Sequence, residues 1–221
     1  MCGRFALFAL GEDVSAEFGV MIDHELEPRY NIAPTQPVAA VRLNTQTGAR
    51  ELTYLRWGLI PSWAKDPKIG SRMINARSET AAEKPSFRAA FKRRRCLIPS
   101  NGFYEWQKLS DRKQPTFIHG VDEQLLGLAG LWEVWHSGDG SIVESCTILT
   151  THPNEMMTPI HSRMPVIIAP EDYSMWLDPG PQPLDALHLM RPYASETLEA
   201  YAVSTAVNSP RYDSAACIEP I

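Results

Sequence analysis

Along this chain, short apolar or alternating runs are interrupted every few residues by proline, glycine or polar clusters. That pattern predicts many strands and few helices. Strands are predicted over residues 38–43, 52–57, 96–99, 103–108, 116–119, 125–135, 146–150, 166–169 and 201–203. Helical signals are confined to five short stretches: 11–18; 86–93, where Pro85 and Ser86 suit a helix start; 154–157; the amphipathic 170–177; and 184–190. Eighteen prolines leave little room for longer ones. Strands with scattered helices predict an α+β fold, with a mixed, mostly antiparallel, curved or barrel-like sheet and short flanking helices. No repeat, low-complexity tract or Gly/Ser linker divides the chain, so a single domain over residues 1–221 is expected.

Composition narrows the classes. With 221 residues and 44% hydrophobic content, the chain can bury a sizeable core. No apolar run approaches the roughly 20 residues that span a bilayer, and the first residues carry neither a signal-peptide pattern nor a myristoylation site. A cytoplasmic protein without membrane contact is expected. The four cysteines lack CxxC spacing, so Cys96, Cys146 and Cys217 read as reduced, mostly buried thiols. No two histidines have ligand spacing, and neither metal nor cofactor is expected.

Charge changes the picture. The net charge is −5, yet residues 56–95 hold eleven Lys or Arg against three acids. Such asymmetry suggests a polyanion-binding face on an otherwise acidic protein. The run at 92–95 suits equally the solvated end of a helix, where cations complement the dipole.

Candidate chemistry begins at Cys2. Removal of Met1 would expose an α-amine, pKa about 7.7–8.0, beside a thiol that a neighbouring cation would depress below about 8.5. An aldehyde suits this 1,2-aminothiol: the amine forms an imine, and the thiol closes a five-membered thiazolidine on it. An N-terminal cysteine can also be an acyl-transfer nucleophile, and taken alone it is most often a residue on a frayed terminus. Glu105 lies in the aromatic strand Gly102-Phe103-Tyr104-Glu105-Trp106, where alternation puts it on the face of Phe103. Burial there would raise its pKa and suit a general acid, whereas an edge position would pair it with a lysine. His161, in Ile160-His161-Ser162-Arg163-Met164-Pro165, could give a proton or be a satisfied loop histidine. Trp63 opens the basic stretch and reads as exposed, suited to stacking on unpaired bases, while Trp57 suits the core.

Taken together these segments resemble the SRAP family, the SOS-response-associated peptidases understood as abasic-site processing proteins. The resemblance rests on Met1-Cys2-Gly3-Arg4-Phe5, Arg29-Tyr30-Asn31-Ile32-Ala33-Pro34, the 57–63 stretch, residues 74–80, 102–106 and 160–165 in that order. It implies that Cys2 crosslinks to the ring-opened sugar of an abasic site in single-stranded DNA, and that Asn75, Glu105 and His161 surround that sugar. It implies further that Arg4, Arg77 and Arg163 neutralise flanking phosphates, that Trp63 is a wedge or stacking residue, and that weak lyase and self-processing peptidase activities accompany capture. A monomer working in the cytoplasm, associated with the nucleoid on DNA damage, is expected. At two positions the chain departs from many relatives: Ala64 stands where some have a second Trp, and Ser162 where many have Asp. Two other classes fit parts of the pattern, an N-terminal-nucleophile hydrolase and a non-covalent binder of modified DNA. The first gives no reason for the basic segment, and the second makes Cys2 dispensable.

Overall fold

The computed structural model describes residues 2–180 and 185–221. Its strands run β1 (Phe5–Leu7), β2 (Arg29–Ile32), β3 (Pro37–Leu43), β4 (Arg50–Trp57), β5 (Asn75–Arg77), β6 (Arg95–Ser100), β7 (Gly102–Lys108), β8 (Lys113–Gly120), β9 (Leu126–His136), β10 (Ile142–Thr151), β11 (Met164–Pro165), β12 (Ile167–Ile168) and β13 (Leu198–Ala202). The helices are α1 (Gly11–Phe18), α2 (Ser78–Ala81), α3 (Arg88–Arg93) and α4 (Tyr173–Leu177). The α+β expectation holds.

β10, β4, β3, β6 and β9 pair in sequence, and β9 pairs back onto β10, so the five close into a barrel. Every link in the ring is antiparallel except β4–β10, which is parallel. Closure removes exposed edges. β5 and β11 both attach to β10, and β12 attaches to β9. A second sheet, in the order β13-β8-β7-β1-β2, lies beside the barrel. The chain crosses from one to the other at Ser100–Gly102, where Asn101 donates its backbone N–H to the Ala6 carbonyl, 2.9 Å.

Two apolar clusters follow. The larger includes Cys2, Phe5, Leu55, Trp57, Leu97, Phe103 and Leu131. The smaller lies on the other face of the second sheet, where Ala6, Tyr104 and Phe117 are covered by Val203, Val207 and Cys217 of the C-terminal segment. Alternation along β7 sends Phe103 to the first cluster and Tyr104 to the second.

The expected elements shift in places. The helix predicted from residue 86 begins at Arg88, because Phe87 has non-helical angles (φ −124°, ψ −26°). Residues 154–157 form turns rather than a helix: Asn154 bends back to accept from Met157 N (2.9 Å), and Met157 O takes both Ile160 N and His161 N. The 166–169 strand contracts to Ile167–Ile168, and 201–203 is part of the longer Leu198–Ala202. Within 170–177, a 3-10 turn at Pro170–Asp172 leads into α4. Of the predicted 184–190 helix, Leu184 lies outside the described residues, and Asp185–Leu187 is a short 3-10 turn.

The basic excursion between β4 and β5 folds back onto the barrel through a close glycine pair. Gly58 has φ 128°, and a Cβ there would come within 2.6 Å of Gly70 O. Gly58 N donates to Cys146 O (2.8 Å) and Ile60 N to the buried Ser145 hydroxyl (2.8 Å). The excursion is thereby pinned to β10, the strand that also carries β5 and β11.

Candidate active site

β1 and β7 pair antiparallel, Phe5 opposite Phe103, and Tyr104 N donates to Arg4 O (3.0 Å). This register brings the residues just before β1 alongside Glu105. Cys2 joins the larger cluster, on the Phe103 and Glu105 face, and is fully buried. Glu105 is 2% exposed. Burial pushes its carboxyl above the usual carboxylate range, and the nearby His161 opposes the rise. His161 Nε2 lies 3.8 Å from Glu105 Oε2.

The Cys2 thiol departs from expectation. Burial first, and the Glu105 carboxylate second, push it well above its ordinary value. The N-terminal ammonium and the Arg4 backbone N–H pull it down, but not enough to offset the loss of water around a thiolate, so the thiol is held protonated at neutral pH.

His161 reaches this floor from the turn ahead of β11. Its Nδ1 lies 3.1 Å from both the N–H and the carbonyl of Arg163. Unprotonated, Nδ1 accepts from the N–H; protonated, it donates to the carbonyl. The ring is anchored in either state, which leaves Nε2 facing Glu105 through a change of protonation. The turn itself is fixed by buried Met157 and by Gln107 Nε2, which donates to Pro159 O (3.2 Å).

Asn75 opens β5, opposite Ile148 of β10, and its Nδ2 donates weakly to Ile148 O (3.4 Å). Its Oδ1 is buried and has no hydrogen-bond partner among the described residues. An orphan acceptor costs about 1–3 kcal/mol, which an incoming donor can recover.

The three arginines occupy different settings. Arg77 ends β5 and is exposed. Arg4 is turned toward the C-terminal segment: Nη1 donates to Asn31 Oδ1 and to Val207 O, each 2.5 Å, and its guanidinium lies 6.0 Å from the Trp106 ring. Burial lowers its pKa from the ordinary arginine value. Arg163 is clamped by Glu79, Nη1–Oε1 2.5 Å and Nη2–Oε2 2.9 Å, and Nη2 also donates to Thr150 O at 2.5 Å. Arg163 holds the Glu79 carboxyl down at about 2. The carboxylate partner that Ser162 cannot supply therefore comes from Glu79. Nothing in the spacing marks Glu79 or Thr150, which lie 84 and 13 residues from Arg163.

Trp63 is 58% exposed, and Trp57 is buried. At Ala64, the carbonyl accepts from Trp135 Nε1 (2.7 Å), so an indole from β9 braces this loop. Lys65, Lys68, Arg72, Lys84, Arg88, Lys92 and Arg93 are exposed with Arg77. The other half of the 92–95 run is structural. Arg94 pairs with Glu133 (2.7 Å), and buried Arg95 donates to the carbonyls of Trp176, Phe91 and Asp178.

The other three cysteines are buried and free. No helix among the described residues is long and apolar enough to cross a membrane.

Comparison with known proteins gives a consistent result. The sequence model of the SOS response associated peptidase (SRAP) family matches residues 1–210. The chain is 46% identical over 224 residues to the abasic site processing protein YoqW of Bacillus subtilis (strain 168), covering 99% of each. It is 35% identical over 225 residues to the abasic site processing protein HMCES of Xenopus tropicalis, covering 88% of this chain and 67% of that one. Among solved structures, a Bacteroides thetaiotaomicron protein superposes with a TM-score of 0.90 at 26% identity, over the full length of both chains.

Proposed function

The chain belongs to the SOS response associated peptidase family, and from that premise we propose that it processes abasic sites in single-stranded DNA by trapping the ring-opened sugar on Cys2. The observation that carries this reading is the convergence of buried Cys2 and Glu105 with the partly exposed His161, with the open acceptor of Asn75 on the neighbouring strand β5. Relatives named abasic site processing proteins support it.

With Met1 removed, the Cys2 α-amine attacks the C1′ aldehyde. Loss of one water then gives an imine. Glu105, whose buried carboxyl holds its proton to higher pH than usual, donates to the departing hydroxyl. The thiol, kept protonated by burial, adds across the C=N bond. Sulfur goes to carbon and the proton to nitrogen, closing the thiazolidine. The order is amine first, thiol second. His161 passes a proton between Glu105 and the sugar oxygen while its ring stays fixed, and Asn75 Oδ1 accepts from the amine or a sugar hydroxyl. Arg77, with Lys65, Lys68 and Arg72, meets phosphates, and Trp63 stacks on an unpaired base. β-Elimination from the imine would give the minor lyase activity. Peptidase activity is confined to exposing Cys2, because a thiol held protonated is a poor nucleophile toward peptide bonds.

The test is to mix Met1-free protein with single-stranded DNA carrying one abasic site, then run a denaturing gel and an intact mass spectrum. The expected product is protein plus DNA less one water, attached through Cys2 and absent with undamaged DNA. No adduct from protein whose N-terminus is verified as Cys2 would overturn the reading.

A further inference from the structure

At the end of β1 remote from Cys2, the second sheet carries aromatic side chains that sugar capture does not use. Phe117 and His119 alternate onto one face of β8, their rings stacked 5.7 Å apart at 18°. Tyr201 of β13 lies directly opposite Phe117. Its ring is 5.8 Å from that of Phe117 and 5.4 Å from that of His119, tilted 57° and 62°. Gly102 faces His119 on the other side, and a Cβ there would come within 2.4 Å of Phe117 Cζ. The missing side chain is what lets Phe117 lie over the adjoining strand. Both movable rings are tethered: Tyr201 donates its hydroxyl to Ile218 O (2.7 Å), and His119 Nδ1 lies 2.9 Å from Gly120 O.

These rings line a cavity of about 140 Å³ with Phe8 and Glu123 at its walls. One water accounts for about 30 Å³ of liquid, so the space suits a small head group. Glu123 follows Asp122 through two successive left-handed residues, φ 54° and 58°, a conformation costing roughly 1–2 kcal/mol for each residue with a Cβ. The turn sets a carboxylate beside the rings, where it adds to burial in raising the Tyr201 phenol above its ordinary value. A wider groove shares Phe8, Asn101 and Glu123 with the cavity and adds Asp13 and Glu17, so its mouth is negative.

Aromatic walls set at a steep angle, with a carboxylate beside them, attract a cation through the ring quadrupoles. A primary ammonium entering such a space would forfeit hydrogen bonds to water that the rings cannot replace. A fully methylated ammonium has none to forfeit. We propose that this pocket binds a methylated ammonium group, either free or on a side chain of a basic peptide lying along the Asp13 and Glu17 groove.

The full-length protein is titrated with choline and, separately, with its uncharged isostere in which a tert-butyl group replaces trimethylammonium. Binding is followed through the His119 and Tyr201 ring signals by NMR. Choline is expected to bind at least about tenfold tighter than the isostere. That preference should fall in Tyr201→Leu and Glu123→Gln, with crosslinking to abasic DNA unchanged in both. Equal affinity for the two probes would show a merely apolar hole and overturn the proposal. So would the absence of ring shifts with choline. A basic peptide bearing one trimethyllysine identifies the source: tighter binding than choline assigns a protein side chain, and no tighter binding assigns a free cation.

Discussion

Arg163 and Glu79 form a two-pronged ion pair, 2.5 and 2.9 Å, and the pair ties the turn carrying His161 to helix α2, which follows the strand that Asn75 opens. Both segments flank β10, and Arg163 also holds β10 itself through the Thr150 carbonyl. The spacing of Asn75 and His161 across the site is therefore set by this clamp.

Glu79→Gln keeps the shape and weakens the clamp. Crosslinking to abasic DNA is expected to slow about 10–100-fold, the loss seen when the partner that orients a metal-ligating side chain is removed, while affinity for undamaged single strands changes little. Stopped-time gels and a binding titration separate the two effects. Because the folded-state pKa is depressed to about 2, the stabilisation from Glu79 is present above the ordinary carboxylate value. It is lost as pH falls from there toward 2. The carboxylate is partly exposed, so solvent screening keeps that contribution within about 1 kcal/mol.

Glu105 has the opposite linkage. Its pKa is raised by burial, so its contribution to stability is fully present below the ordinary carboxylate value and is lost as pH rises through the raised one. Above that raised value the charged, buried group is a liability. Glu105→Gln is expected to melt higher than the parent on the alkaline side of that value, by roughly 2–4 °C for each kcal/mol recovered. The gain should shrink toward pH 4. The same variant should lose the alkaline fall in crosslinking rate, since that limb reports deprotonation of the acid. Scanning calorimetry across pH and single-turnover rates check both. A melting temperature that stays below the parent's as pH rises would contradict the burial argument.

Much of the fold could be read from periodicity. Helix α1 spans the predicted 11–18, with Val14 and Phe18 buried one turn apart, and the long strands β3, β4, β6, β7, β9 and β10 carry enough residues for alternation or apolar runs to show. The missed strands β1, β2, β5 and β11 are two to four residues long. Segments of that length have no period to detect, and partners distant in sequence hold them extended. Three of them border the candidate site residues, which is why those residues could be noticed as motifs while their placement could not be derived. The parallel β4–β10 contact that closes the barrel left no local signal either. Charge alone could not separate roles: Arg4 and Arg95 count as cations in the sequence, and in the structure both donate to backbone carbonyls.

Arg4 and Arg77 should therefore part company on substitution. Arg77→Ala is expected to weaken binding alike on all sequences and to reduce the slope of log K against log salt by about 0.7–1. Arg4→Ala should leave that slope nearly intact and destabilise the fold by about 1–3 kcal/mol, because Asn31 and the Val207 carbonyl lose a charged donor. Salt-dependent titrations beside denaturant melts distinguish these outcomes. A reduced salt slope for Arg4→Ala would assign it to phosphate instead.

The sharpest separation comes at Cys2, because its two nucleophiles can be removed independently. Cys2→Ser retains the α-amine once Met1 is cleaved but replaces the sulfur that closes the ring. It is expected to form an imine that borohydride traps, and to give little adduct on a denaturing gel without reductant. Cys2→Ala should behave likewise, since its amine is equally intact, whereas retaining Met1 turns the Cys2 nitrogen into an amide and should abolish the stable adduct. The order of steps follows from the buried, protonated thiol, which adds to an imine already formed rather than attacking the aldehyde first. If Cys2→Ser gave a reductant-independent adduct at the parent rate, the sulfur would have no part in capture. If the parent with Met1 retained reacted normally, the amine would have none, and a thiohemiacetal would replace the thiazolidine as the product.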